Sequence, residues 1–406
     1  MRRRLSQYSP AEEGDSVSSP HGSGRRWTTT PGPLGLYVHI PFCVRKCFYC
    51  DFNSGPVGEV KRRRHLEALE NEIRNSPYGG ARARTLFLGG GTPSELRLGE
   101  LTCLIEALRD SFDLSPLEEW TIECNPGTLT PPSLEVYRRL GIDRISLGVQ
   151  SFHDGHLKAL GRVHDAQQAR TSIRWIRQAG FDNLNLDLIF ALPHQTLDEW
   201  RADVEESFSY RPEHVSLYNL TIEPGTEFGR RRQAGLLLET AQDLAADMFQ
   251  TAIDDAEKAG MIHYEISNFA LPGRECLHNR IYWRNEDYLG LGVGASSYVD
   301  GLRWTNCGDL DDYAQGAARG WVPREVEERL PARQALGEEI MLRLRTREGA
   351  DLAALSDKYG LAAQNLYAAP LQRLQSDGLI SLRGTSVTLT PRGIFLADQV
   401  CAEFLV

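Results

Sequence analysis

Three cysteines in one short stretch constrain this chain more than anything else in it. Cys43, Cys47 and Cys50 are spaced C-x3-C-x2-C and follow directly on Gly35-Leu36-Tyr37-Val38-His39-Ile40-Pro41-Phe42. The alternation of Leu36, Val38, Ile40 and Phe42 predicts a strand, and the cysteines fall on the loop that leaves it. Three thiolates on one short loop suit a cubic [4Fe-4S] cluster, whose fourth iron then has no protein ligand and can hold a small molecule. The alternatives are a zinc knuckle, a disulfide pair or plain buried cysteines. Structural zinc takes four ligands, usually as two separated pairs, and no second pair follows; His39 or Asp51 would have to complete the set.

The rest of the chain narrows the setting. Its 406 residues allow two or three domains. A net charge of -10 argues against general nucleic-acid binding and against an anionic membrane surface. No apolar stretch reaches the length of a membrane span, and the start has no apolar core of the signal-peptide kind. Eight cysteines, three of them clustered, fit a reducing cytosol and a metal site better than a disulfide scaffold, so a cytoplasmic location is expected. Residues 1–33 are rich in Ser, Gly, Pro and Arg and are expected to be a disordered tail. Arg2, Arg3 and Arg4 also allow a transit peptide, against which Glu12, Glu13 and Asp15 count.

From Leu36 onward, strand patterns alternate with helical ones. Strands are expected at Leu36–Ile40, Thr85–Leu88, Trp120–Cys124, Arg144–Val149, Leu184–Phe190 and His214–Leu220, each followed by a helix. Six βα units imply a parallel sheet with helices outside, curled into a partial barrel rather than the closed eight-fold form. In such barrels the chemistry sits at the carboxyl ends of the strands. The cysteine loop, Gly89-Gly90-Gly91-Thr92-Pro93, Glu123-Cys124-Asn125-Pro126, Gln150-Ser151-Phe152, Asp187, Tyr218 and Thr221 all fall at or near those ends. A glycine triplet can be an ordinary tight turn, and an acid at a strand end can be a helix cap. Gathered on one rim beside a cluster, they read as one site.

Together these residues resemble the radical S-adenosylmethionine superfamily, in which an aromatic residue, here Tyr49, precedes the last cysteine. More narrowly, Tyr37–Cys43, Gly89–Pro93, Gly148–Phe152 and Asp187–Pro193 resemble the oxygen-independent coproporphyrinogen oxidase family. The resemblance implies that Cys43, Cys47 and Cys50 hold the cluster. It also implies that Tyr37, Tyr49, Gly90, Gly91, Thr92, Glu123, Gln150, Arg162 and Asp187 line a site for S-adenosylmethionine. An electron from the cluster would cleave that cofactor to an adenosyl radical.

Two departures point from the oxidase to the haem-chaperone branch of the same family. Phe52 stands where the oxidase has another cysteine, and a low-complexity tail stands where the oxidase has an ordered extension. His278-Asn279-Arg280-Ile281-Tyr282-Trp283 matches the H-N-x-x-Y-W motif that implies haem binding in that branch, with His278 as the expected ligand and Cys276 as an alternative. A buried, hydrogen-bonded histidine is the bland reading of His278. Expected partners are haem, haem-accepting client proteins, an electron donor and, through the cluster, a second copy of the chain. Oxidative decarboxylation of coproporphyrinogen and radical-dependent methyl transfer are the competing activities.

The expected division is a barrel over 34–265, a connecting segment over 266–330 and a separate domain over 331–406. The last, with three helices, a hairpin through Gly384 and a final helix from Pro391, predicts a winged-helix-like α+β fold. Arg343, Arg345, Arg347, Arg373 and Arg383 lend DNA binding modest support, which the acidity of the chain outweighs.

Overall fold

The computed structural model describes residues 32–405. All but the last two residues of the expected disordered tail, and the transit-peptide reading with them, lie outside the described residues. The first three-fifths or so of the described chain repeats strand and helix: β1 (Leu34–Ile40), α1 (Glu59–Arg74), β2 (Ala83–Gly90), α2 (Leu98–Ser111), β3 (Glu119–Cys124), α3 (Pro131–Leu140), β4 (Arg144–Gln150), α4 (Asp154–Leu160), α5 (Ala166–Gln178), β5 (Leu184–Phe190), α6 (Leu197–Ser209), β6 (His214–Asn219), α7 (Glu227–Gln233) and α8 (Gln242–Lys258). Helices begin where the sequence caps them. Thr130, Asp165 and Thr196 each accept the third helical N–H of α3, α5 and α6, and the third side chain bonds back.

Strands β1 to β6 lie side by side in chain order and are parallel. Leu36, Val38, Ile40, Leu86, Leu88 and Ile122 pack with Leu69, Ile73, Leu101 and Leu104 of the outer helices. Period-2 alternation then turns Tyr37, Phe87, Glu123, Asp187 and Tyr218 to the inner face. That face is sealed at one end and open at the other. Thr85, Glu119, Thr121, Ser146, Asn185 and His214 are buried, whereas Tyr218, nearer the carboxyl end, is 40% exposed.

The chain then extends both edges of this sheet. β7 (Ile262–Glu265) and β8 (Asn268–Ala270) form an antiparallel hairpin on β6. After α9 (Leu277–Trp283), β9 (Tyr288–Leu291) runs parallel to β1 on the other side, and β10 (Ser296–Val299), β11 (Leu302–Asn306) and β12 (Arg324–Arg329) continue the sheet outward, while α10 (Leu310–Ala318) packs against α1. The sheet has twelve strands, from β12 at one edge to β7 at the other. The expected boundary after residue 265 falls in the β7–β8 turn. Residues 266–330 are part of the barrel sheet because their short strands pair with β6 and β1.

The last segment has its own core of Leu336, Ile340, Leu344, Leu355, Leu371 and Phe404. It comprises α11 (Ala332–Leu344), β13 (Ala350–Asp351), α12 (Leu352–Tyr359), α13 (Ala363–Leu366), α14 (Ala368–Ser376), β14 (Ile380–Arg383), β15 (Ser386–Leu389), α15 (Pro391–Phe395) and α16 (Ala397–Ala402). It has the expected winged-helix-like form, with a small antiparallel sheet in the order β13-β15-β14. It is stitched to β7 by backbone: Ile266 N–H donates to Arg345 O at 3.1 Å and Arg347 N–H to Tyr264 O at 3.0 Å. Among the described residues no helix is long and apolar enough to cross a membrane.

Candidate cluster and cofactor site at the barrel mouth

The cysteine loop is closed at its neck by backbone bonds, Cys43 N–H to Gly55 O and Gly55 N–H to Pro41 O, both 3.0 Å. His39 braces it from below. Its Nε2 lies 2.9 Å from Asn53 O, which can only accept, so Nε2 carries the proton and Nδ1 accepts from Tyr37 OH at 3.0 Å. Cys43, Cys47 and Cys50 are half-buried, and all cysteines among the described residues are free thiols, so the disulfide alternative falls. Burial holds the Cys43 and Cys50 thiols above their usual range. Among the described residues no group of three or more His, Cys, Asp and Glu side chains is placed to hold a metal ion. Three thiols on one short loop suit a cube in which three irons take one sulfur each and the fourth takes none from the protein.

Around this loop the strand ends are tied together. Thr92 Oγ1 lies 3.5 Å from Cys43 Sγ and accepts from Asn125 Nδ2 at 2.8 Å. Arg162 spans the gap, donating to Cys47 Sγ at 3.5 Å, to Gly148 O at 2.8 Å and to Asn125 Oδ1. Its Nε has no protein partner and is buried. Tyr49 packs with Leu160, Ile189 and Phe228 behind the loop and lies against Arg162. Gln150 ends β4 in the left-handed region at φ 67°.

The glycine triplet is a built cradle. A Cβ on Gly91 would stand 2.6 Å from Phe42 O and 2.9 Å from Ile40 O, and one on Gly90 would stand 2.5 Å from the His39 ring. Only glycines let the end of β2 lie this close to the stem of the cysteine loop. Gly90 N–H donates to Glu123 Oε2 at 2.9 Å. Asp187 accepts from Asn185 Nδ2 at 2.8 Å and from Ser146 Oγ at 3.1 Å.

Burial pushes Glu123 up to about 7, with Asp187 adding repulsion, and burial raises Asp187 as well. Two carboxyls that share one lumen favour a cation between them. A guanidinium on one wall, two carboxyls on another and a glycine cradle beside three thiols fit an amino acid sulfonium next to a cluster. The rim therefore brings together Tyr37, Tyr49, Gly90, Gly91, Thr92, Glu123, Gln150, Arg162 and Asp187. It adds Asn125, His39 and Tyr218, which the family resemblance does not assign to the S-adenosylmethionine site. Asn125 and Tyr218 stand at strand ends among the residues already singled out, and His39 within the first strand, so position was their only signal.

His278 is elsewhere. It lies at the amino ends of the strands, where a Cβ on Gly35 would stand 3.2 Å from its Cε1, so α9 plugs the floor of the barrel and the cysteines crown its mouth. The Glu119 carboxylate caps α9, accepting from Leu277 N–H at 3.0 Å, His278 N–H at 3.2 Å and Cys276 Sγ at 3.4 Å. The His278 ring is 1% exposed and stacks on Phe87 with centroids 5.1 Å apart. Its Nδ1 bonds Thr85 Oγ1 at 2.7 Å and its Nε2 bonds Tyr282 OH at 2.8 Å. Burial, with Arg144 nearby, pushes its pKa down to about 3, so the ring is neutral. Both nitrogens are engaged. His278, the expected axial ligand, is a buried histidine bonded through both ring nitrogens, and Cys276, the alternative, is buried and bonded to Glu119.

Comparison with known proteins agrees with the fold. Residues 37–206 match the radical SAM superfamily model and residues 330–396 the HemN C-terminal domain model. The chain is 37% identical to the heme chaperone HemW of Lactococcus lactis, over 92% of this chain and 98% of that protein. It is 36% identical to the heme chaperone HemW of Bacillus subtilis, over 91% and 98%. The solved structure of Escherichia coli coproporphyrinogen III oxidase HemN, a radical SAM enzyme, superposes with a TM-score of 0.82 at 25% identity, covering 94% of this chain and 92% of that one.

Proposed function

Because the chain belongs to the heme chaperone HemW family of radical SAM proteins, we propose that it is a cytoplasmic haem chaperone that passes haem to haem proteins. The observation that carries the reading is the near full-length match to relatives of that name, joined to a mouth whose donors suit a cluster with S-adenosylmethionine. Cys43, Cys47 and Cys50 would hold the [4Fe-4S] cluster. Arg162 would take the cofactor's carboxylate, while Glu123 and Asp187 would face its cationic groups and ribose. When bound, the pair supplies one-electron cleavage of a sulfonium. The protein's own part is to hold the cofactor's charges in place: His39 fixes the loop, and Asn125 fixes both Thr92 and Arg162. An electron donor and a homodimer formed through the cluster loop complete the proposal.

A second reading is coproporphyrinogen oxidation, favoured by the likeness to the E. coli oxidase. Phe52, which is 61% exposed on the loop, offers no thiol there. The test is anaerobic reconstitution with iron and sulfide, then separate incubation with haem and with coproporphyrinogen. The chaperone reading expects a brown chromophore that is lost on replacing Cys43, Cys47 and Cys50 with Ala. It also expects haem uptake and transfer to an apo-haem protein. Porphyrin vinyl groups formed with release of 5′-deoxyadenosine would instead favour the oxidase. Uptake of about one zinc with no chromophore would overturn both.

A further inference from the structure

Resting on the haem-chaperone reading, we propose that the iron ligand on α9 is Tyr282, as phenolate, and that His278 is the positioning residue behind it. The motif histidine cannot meet iron without breaking its bonds to Thr85 and Tyr282 and leaving the floor it plugs. Tyr282, one helical turn on, is half-buried and offers an oxygen already 2.8 Å from His278 Nε2. Thr85 Oγ1 can donate as well as accept. With Thr85 donating to Nδ1, the imidazole proton sits on Nε2 and is donated to the tyrosyl oxygen. That is the tautomer a phenolate needs, and it requires no charge on the buried ring. Phenolate oxygen is an established kind of haem ligand, and a second group bonded to a ligand commonly tunes it.

The surroundings suit a flat macrocycle. Tyr282 meets Tyr288 edge-on at 4.6 Å, and Tyr288 meets Tyr298 at 6.4 Å across β9 and β10. All three rings are half-buried, so they form an aromatic strip running from the floor. Binding forms one bond, from phenolate oxygen to ferric iron. The phenol proton and the water on the iron leave to solvent, and no electron moves.

The test is titration of the full-length protein with ferric haem, read by resonance Raman and electron paramagnetic resonance. Wild type is expected to give a high-spin ferric phenolate signature. Tyr282→Phe, which keeps the ring, is expected to lose that signature and about 10-fold or more in affinity. His278→Ala is expected to keep phenolate ligation but shift its charge-transfer band and bind about 10-fold more weakly, with partial rescue by His278→Gln. Melting curves check that each variant is folded. A histidine-type signature that survives Tyr282→Phe and vanishes in His278→Ala overturns the inference. Haem bound with the same signature in both variants also overturns it, by placing haem elsewhere, and leaves the chaperone reading standing. Wild type that takes up no haem overturns the chaperone reading itself.

Discussion

At the scale of single residues, the lumen is defined by carboxyls held where water is scarce. Glu123 has one backbone donor, Gly90 N–H, and a second carboxyl, Asp187, nearby. Its folded pKa of about 7 lies above the ordinary glutamate range near 4.5, so ionising it costs the folded protein. The cost is absent below the ordinary value, grows as pH rises from there to about 7, and is complete above that. Glu123→Gln should therefore raise the melting temperature of the cofactor-free protein at pH 8, by an amount corresponding to about 1–3 kcal/mol, and leave it unchanged near pH 4. The same substitution removes a counter-charge for a cation and should weaken S-adenosylmethionine binding about 10-fold at pH 8 by calorimetry. A variant less stable than wild type at pH 8 would show that the Gly90 bond outweighs the burial of the charge.

At the scale of elements, α9 carries the haem motif on a short helix. Seven residues are too few to persist alone, so its anchors decide whether it stays. One anchor is inside, where Glu119 caps two N–H groups. The other is Glu348 of the C-terminal domain, which holds Arg280 at 2.5 Å and Arg284 at 2.9 Å. Glu348 is 51% exposed, so its pairs are worth less than about 1 kcal/mol. Glu348→Gln should leave global stability almost unchanged while α9 amides exchange faster. Glu119→Gln, which weakens the cap itself, should speed exchange further and lower stability by about 1 kcal/mol. Equal exchange in both would mean that α9 is held by packing alone.

This helix also marks where the sequence stopped being readable. The six βα repeats were plain because each strand runs six to eight residues and each outer helix has a clear apolar stripe. The cysteine loop and the Gly89–Gly91 cradle were plain because their chemistry is local. The β7–β8 hairpin was not, since strands of four and three residues carry no period. The place of His278 depends on Thr85 and Glu119, partners more than 150 positions away, and only the closing of the sheet brings them together.

At the scale of the whole molecule, two cores meet along a seam of main chain, and one titrating side chain is buried in it. Glu265 ends β7, pairs through its backbone with Thr346 and is 3% exposed. Its carboxylate accepts from Asn268 Nδ2, and Arg345 lies close enough to favour the charge, yet burial dominates and lifts it to about 7. Separating the domains would return Glu265 to water and to its ordinary range near 4.5. The docked state is thus favoured when the group is protonated. Its contribution is full below the ordinary value, declines as pH rises toward about 7, and is gone above that, with a ceiling of about 3 kcal/mol. Scanning calorimetry should show the transition of the C-terminal core, built on Leu336, Ile340 and Phe404, falling in temperature between pH 5 and about pH 8. Glu265→Gln keeps the Asn268 contact without the charge and should flatten that slope relative to wild type. Glu123 contributes a slope of the same sign to the barrel, so the difference between wild type and Glu265→Gln isolates the seam. If the two slopes coincide, the domains do not part at this seam on heating, and Glu265 stays enclosed until the whole chain unfolds.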